Sequence, residues 1–307
     1  MKANTEELFL SPEELRAYKI RKTIFNVFIY VFLAVIALFI IIPFYYMILT
    51  AFQTNEEFTS EVISLWPKSF NLKNFAAVFE NKTDKGVYKG YSIWTMYGST
   101  IYVGILTTLG TIVTVIFSAF AFARLEFKGK ETIFSLLLAT MMIPGEIYII
   151  TNYQTLSSMR NTYTALILPF VTSVFYTFFL RQTFRQIPNE LYLAARVDGL
   201  GDFGYLFKIM IPIAKSTIVT IIILSMIGTW NAYVWPSLMT TNAGASKYLV
   251  SNGLAMMFKG QSELSGPDSI ITKQMAASTL ITIPLLITFI CLRKYIMSGV
   301  SRSGIKG

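Results

Sequence analysis

The sequence contains no histidine and a single cysteine, Cys291. These absences remove the commonest metal ligands and general bases, so no metal centre and no disulfide framework can be assembled. Cys291 lies in an apolar run and reads as a small packing residue. A membrane enzyme would need convergent nucleophiles or metal ligands, and none are offered, so no catalytic residue is assigned. The chain also lacks a G-x-x-x-x-G-K-[ST] loop, the usual phosphate cradle. If ATP drives this protein, another subunit binds it. Charge is scarce as well, at 14% of residues against about 25% in a typical soluble domain.

Apolar residues are plentiful, at 54% of the 307 positions, and they are gathered into long runs. Six spans are expected, at 24–51, 99–122, 133–153, 164–180, 218–236 and 275–292. A helix crossing the hydrocarbon core needs about 20 apolar residues, and the fourth and sixth runs are shorter. Lipid leaves open backbone groups unpaired, so such spans must be helical. The expected class is an all-α polytopic membrane protein with six transmembrane helices. The first run exceeds the apolar core of a cleavable signal, and no small-residue cleavage site follows it.

Basic residues set the orientation. Lys2, Arg16, Lys19, Arg21 and Lys22 precede the first span, and Arg124, Lys128 and Lys130 follow the second. Arg181, Arg185, Arg196, Lys208 and Lys215 follow the fourth, and Arg293, Lys294, Arg302 and Lys306 follow the sixth. These segments carry most of the 26 Lys and Arg, which places them and both termini in the cytoplasm. The formal charge of +9 is accounted for by orientation and anionic lipid, so no nucleic-acid partner is expected. The organisation reads as a cytoplasmic leader at 1–23, a membrane domain at 24–296 with its core at about 95–296, and a cytoplasmic tail at 297–307. Ser11-Pro12-Glu13-Glu14 looks like a helix start in the leader. Residues 53–97 and 237–273 form outer loops.

The most informative segment is 187–212, a charged island between apolar spans, inside a cytoplasmic loop at 181–215. Asn189 can cap a two-turn helix over 190–197. Asp198-Gly199 ends it, with Gly199 free to turn left-handed. Asp202 can cap a second helix over 203–210, ahead of Pro212. Leu191, Tyr192, Leu193, Ala194 and Ala195 are expected to face outward, where small alanines permit close approach to a partner groove. Two turns are marginal alone, so packing must hold them. Spacing alone fits an ordinary connecting loop equally well.

Ala194, Ala195, Asp198, Gly199 and Pro212 resemble the Glu-Ala-Ala-x-x-Asp-Gly loop of permease subunits of ATP-binding-cassette (ABC) importers. The chain departs from that pattern at Leu193, Leu200 and Leu206, where the family has Glu, Ala and Phe. The missing Glu removes one polar contact, for which Glu190 can partly substitute. Further likenesses lie at 118–129 (SAFAFARLEFKG), 141–145 (MMIPG), 161–169 (NTYTALILP) and 229–236 (TWNAYVWP). The end of the chain, SGVSRSGIKG, resembles the sugar-importing branch, similar to the second permease of maltose-type importers.

The resemblance implies a type I importer permease fold with a cytoplasmic coupling helix between spans 4 and 5. It implies two ATPase subunits that bind ATP and Mg, a paralogous permease and an external or periplasmic solute-binding protein. The location implied is the bacterial plasma membrane, with lipid around the spans and no cofactor in this chain. The residues expected to dock on the ATPase are Glu190, Leu191, Leu193, Ala194, Ala195, Asp198, Gly199 and Pro212.

Candidates for the solute path come from the residues themselves. Glu146, the one acidic residue within a span, should face protein or water, because a charge at the bilayer centre costs about 2.5–3.5 kcal/mol. Trp230, Asn231, Tyr233 and Trp235 could stack on and bond a sugar, or anchor span 5 at the interface. Asn152 is a further polar candidate. An importer of an amino acid, peptide or glycerol phosphate is the alternative, and a secondary transporter would need more intramembrane charge.

Overall fold

The computed structural model describes residues 11–60, 64–80, 82–83, 86–87, 92–241, 247–258 and 270–301. Helix α1, Pro12–Phe52, starts at a capping box in which the Ser11 hydroxyl accepts from the Glu14 amide and Glu14 accepts from the Ser11 amide. The Ser11 hydroxyl, donating to the Glu14 carboxylate at 2.8 Å, and then the Ser11 amide hold that carboxyl below its usual pKa. The helix passes position 23 without a break, so residues 12–23 are its opening turns. Residues 1–10 lie outside the described residues. The most apolar stretch of α1 is wholly exposed, and only Leu49, Thr50 and Ala51 in its last turn are buried.

The segment after α1 carries α2 (Asn55–Phe58), α3 (Lys73–Glu80) and an antiparallel pair of two-residue strands, β1 (Lys82–Thr83) and β2 (Gly86–Val87). Buried Asn74 on α3 donates to the carbonyls of Ala51 (2.9 Å) and Gln53 (2.8 Å), satisfying oxygens that the end of α1 leaves open.

Helix α4, Ile93–Arg124, is the spine of the bundle and starts six residues before the expected span. Its buried positions Thr100, Gly104, Thr107, Thr108, Thr111, Val115 and Ala119 recur at helical spacing. That stripe is small and hydroxyl-rich, the composition that lets membrane helices approach closely and bond across. Thr108 donates to Ser225 (2.9 Å), and Thr111 and Thr114 donate to the carbonyls of Phe170 (2.8 Å) and Val171 (2.6 Å). At Gly110 a Cβ would meet Val171 at 2.9 Å, so glycine is what permits this crossing.

The next three expected spans are bent. α5 (Lys130–Thr140) and α6 (Gly145–Thr155) meet at 92°, across the Pro144-Gly145 break. α7 (Tyr163–Ile167) continues through Phe170 and meets α8 (Val174–Arg185) at 43°. Pro169 lies before this break, and the Ser173 hydroxyl caps α8 by accepting from the Tyr176 amide. α9 (Asn189–Val197) is followed by α10 (Asp202–Tyr205), a π-helical turn at Leu206–Met210 and α11 (Ile211–Ile213). This segment meets α12 (Lys215–Asn231) at 77°. The fifth expected span therefore ends at Asn231, and α13 (Val234–Met239) is separate from it.

The segment between α13 and α15 holds α14 (Val250–Met257), and α15 (Ile271–Ser301) packs along α1 and α12. Among the described residues three helices are long and apolar enough to cross a membrane, or six spans if each bent pair counts as one. Residues 302–307 of the expected tail lie outside the described residues.

Candidate functional site

The charged island folds as a compact block on one end of the bundle. Helix α9 begins at Asn189 itself, with Pro188 at the cap position and no side-chain capping bond, so Asn189 does not serve as the cap. The helix ends as expected. The Asp198 amide bonds the Ala194 carbonyl (2.9 Å) and the Gly199 amide bonds Arg196 (3.1 Å). Gly199 then takes φ +79°, a left-handed turn that lets the Leu200 amide reach Ala195 (2.8 Å).

Asp202 does not cap the second helix either, because Gly201 occupies the cap position. Its carboxylate is turned back to α9. It accepts from the Tyr192 hydroxyl at 2.9 Å and pairs with Arg196 at 3.5 Å. The hydrogen bond to Asp202 is the main reason the Tyr192 phenol is pushed above its usual pKa. Tyr192 also packs edge-on against Tyr205, with ring centres 5.0 Å apart. Two turns of helix are thus braced by a phenol, a carboxylate and a guanidinium.

The block divides into a buried face and a free face. Ala195, expected outside, is 2% exposed and packs with Tyr205, Leu206 and Met210 onto Ala119, Phe184 and Ile187 of the bundle. Tyr192 is half-buried rather than free. Leu191, Leu193, Ala194, Glu190, Asp198 and Pro212 are exposed. Val197, at 87% exposed, adds an apolar side chain to this exposed set, whereas Phe203 and Phe207, also exposed, lie edge-on to Phe117 of α4 with ring centres 6.3 Å away in both cases. Sequence reasoning missed these three residues, although their apolar character beside charged neighbours was a usable signal. An apolar face of this kind on a polar block marks an interaction surface.

Arg124 fastens the approach to the block onto the bundle, and Arg181 ties the neighbouring spans to one another. Arg124, at the end of α4, donates through Nη2 to the carbonyls of Phe184 (3.0 Å) and Ile187. Arg181 on α8 is 3% exposed and holds Glu131 of α5 with two bonds of 2.7 and 2.8 Å. Its Nε donates to the Phe122 carbonyl (3.0 Å), and its guanidinium lies 3.9 Å from the centre of the Phe134 ring. These residues were counted only as orientation signals in the sequence.

The solute-path candidates are not gathered in one place. Trp235 is buried and donates to the Ala165 carbonyl at 3.0 Å. It lines a cavity of about 310 Å³ between α4, the break before α8, α12 and α13. Thr107, Thr111, Ser173, Tyr176, Ser225 and Thr229 supply hydroxyls to that lining, and no lining side chain is charged. The Thr107 hydroxyl is buried with no hydrogen-bond partner. Trp230 instead packs on Tyr97, 5.6 Å between ring centres, and donates to the Ile281 carbonyl (3.2 Å). Asn231 and Tyr233 are exposed and Asn152 is half-buried. Glu146 is exposed in the first turn of α6, directly after the 92° bend, where a carboxylate suits the positive end of the helix. No cluster that could hold a metal ion occurs among the described residues.

A profile of the family described as "Binding-protein-dependent transport system inner membrane component" matches residues 112–302. The chain belongs to this family. It is 31% identical to the arabinooligosaccharides transport system permease protein AraQ of Halalkalibacterium halodurans, over 91% of this chain and 94% of that protein. It is 26% identical to the inner membrane ABC transporter permease protein YcjP of Escherichia coli, covering 94% and 99% of the two chains. The sn-glycerol-3-phosphate transport system permease protein UgpE of Brucella abortus is 28% identical over 84% of this chain and 89% of its own. Among solved structures, the fold is similar to a crystal structure of a bacterial ABC transporter involved in import of the acidic polysaccharide alginate. That match has a TM-score of 0.76 and 22% identity, and covers 94% of this chain and 99% of the other. The permease is therefore a membrane component of a transport system and not a catalytic subunit.

Proposed function

We propose that this chain is the membrane-spanning permease subunit of an ATP-driven, binding-protein-dependent importer of a sugar or oligosaccharide. The observation that carries this reading is the block at 189–213. It is rigidly braced, buried on its bundle side, and apolar and exposed on the other. Such a block transmits displacement to the spans it is bonded to. Two partner ATPases would supply ATP and Mg, seating the exposed face of α9 in a groove. A paralogous permease completes the path, with both termini of this chain in the cytoplasm. A loaded binding protein docks on the outer loops, and the two permeases alternate between outward and inward openings.

The residues offered for ATPase docking are Glu190, Leu191, Leu193, Ala194, Asp198, Gly199 and Pro212, joined by Val197. Ala195 acts from behind, as a packing residue. For the solute path, Trp235 and the hydroxyl-lined cavity are favoured over Trp230, whose indole is committed to α15. Exposed Glu146, Asn231 and Tyr233 can face the partner permease. The alternative cargo is a glycerol phosphate, as the name of the Brucella relative suggests. A phosphate would call for arginine or lysine, and the uncharged cavity lining favours a neutral polyhydroxylated solute. A secondary transporter finds little support in a bundle whose described intramembrane carboxylate is Glu146 alone.

The test is ATP hydrolysis by the purified complex in lipid, with binding protein and a panel of neutral oligosaccharides or sn-glycerol-3-phosphate. Stimulation by an oligosaccharide is expected. Stimulation by glycerol phosphate alone overturns the sugar reading, and a complex without ATPase overturns the importer reading.

A further inference from the structure

The inner ends of three spans are bonded to one another through Arg124 and Arg181. Both arginines satisfy carbonyls that helix ends leave open. Arg181 takes the Phe122 carbonyl at the end of α4, and Arg124 takes the Phe184 carbonyl at the end of α8 and the Ile187 carbonyl just ahead of α9. Arg124 also puts positive charge at the negative end of α8. Arg181 Nη2, which donates to both Glu131 oxygens, adds α5 to the same unit. Outward of this unit, the chain is broken between α5 and α6 by 92°, and before α8 by 43°.

Bulk stability does not explain the arrangement well. Burying a guanidinium to 3% exposure is costly, and an apolar side chain of similar size commonly serves stability as well or better. At Arg181 the planar guanidinium adds geometry, because it holds Phe122 through Nε and Glu131 through Nη2 at a set angle, which a lysine cannot do.

We propose that Arg124 and Arg181, with Glu131, are positioning residues of the transport cycle. They lock α5, α8, the inner end of α4 and α9 into one rigid body. A displacement of α9 is then delivered to the breaks at 141–144 and 171–173 rather than absorbed locally. Their role is to keep ATP hydrolysis and solute movement in step.

The inference rests on the importer reading, so the wild-type complex is measured first. The complex with its ATPases is reconstituted in liposomes with binding protein and the neutral oligosaccharide that stimulates it most. Solute imported per ATP hydrolysed in the wild type tests the importer reading by itself. The variants Glu131→Gln, Arg181→Lys and Arg124→Lys then test the clamp against that reference. Glu131 is 65% exposed, so Glu131→Gln leaves folding intact and keeps the test interpretable. Each variant is expected to lower solute per ATP by about threefold or more, with KM for ATP unchanged, and Glu131→Gln combined with Arg181→Lys should be no worse than the weaker single variant.

A second readout needs no solute. Spin labels at the exposed positions Leu136 on α5 and Val197 on α9 should keep one narrow distance with and without ATP in the wild type, and a broadened one in Arg181→Lys. An unchanged solute-to-ATP ratio, a parallel loss of both activities, or a wild-type distance that shifts with ATP overturns the proposal.

Discussion

Gly199 offers the most direct perturbation of the docking block, because its cost is almost purely conformational. Its φ is +79°, yet a Cβ built there meets nothing within 4 Å. Alanine thus adds no clash, only the penalty of a left-handed backbone, about 1–2 kcal/mol. Asparagine tolerates that region better and should cost less, whereas a β-branched valine should cost more. Proline cannot reach the conformation, since its ring fixes φ near −65°. It also deletes the Gly199 amide that bonds the Arg196 carbonyl, for a combined cost of about 3 kcal/mol or more.

A difference of about 1.4 kcal/mol is tenfold in an equilibrium constant. Uptake limited by correct presentation of α9 should therefore fall in the order Gly, Asn, Ala, Val, Pro. The assay is solute uptake by cells or liposomes, normalised to the amount of permease in the membrane. Wild-type uptake by Gly199→Pro, or a flat series with normal membrane levels, would refute the argument that this turn sets the docking geometry.

Other outcomes follow from the same packing. Gly253→Ala places a Cβ 2.7 Å from Met96 Sδ and should destabilise by about 1–3 kcal/mol, read as a lower melting temperature in detergent. Tyr205→Phe removes a buried hydroxyl that has no partner, so stability should hold or rise by up to about 1 kcal/mol, read the same way. Gly228→Leu projects into open space on the cavity wall. It should cut uptake while leaving assembly intact, which co-purification with the ATPases checks. Tyr192 has a raised folded pKa, so its bond to Asp202 contributes fully below the ordinary tyrosine value of about 10 and is lost as pH climbs through the higher folded value. Tyr192→Phe should abolish that alkaline step in a stability-versus-pH curve.

The helical block at 189–213 was legible because its signals are local. Pro188, Gly199 and Pro212 punctuate it, and a charged run between apolar spans announces it. Its helix starts were misplaced, because the choice between Asn189 and Pro188 as cap, or between Asp202 and Gly201, depends on where Tyr192 and Arg196 come to rest. Ala195 was set on the wrong face for a related reason, since α9 rolls to bury its alanine against Tyr205. Pro144 stands inside the third expected span, but the 92° bend beside it was not read from the sequence. The arginine clamp was invisible, because Arg181 and Glu131 lie fifty residues apart and a basic residue beside a span reads as topology. The cavity was equally hidden, built from hydroxyls on α4, α8, α12 and the break before α8.

The central claim is that the free face of α9 seats in an ATPase. Replacing the one native cysteine, Cys291, frees the chain for site-specific crosslinking. A cysteine at Val197 or Leu193, both exposed, should crosslink to the co-expressed ATPase subunit in membranes, whereas one at buried Phe184 should not. Crosslinking of neither exposed position to any ATPase, in the presence or absence of ATP, would contradict the account.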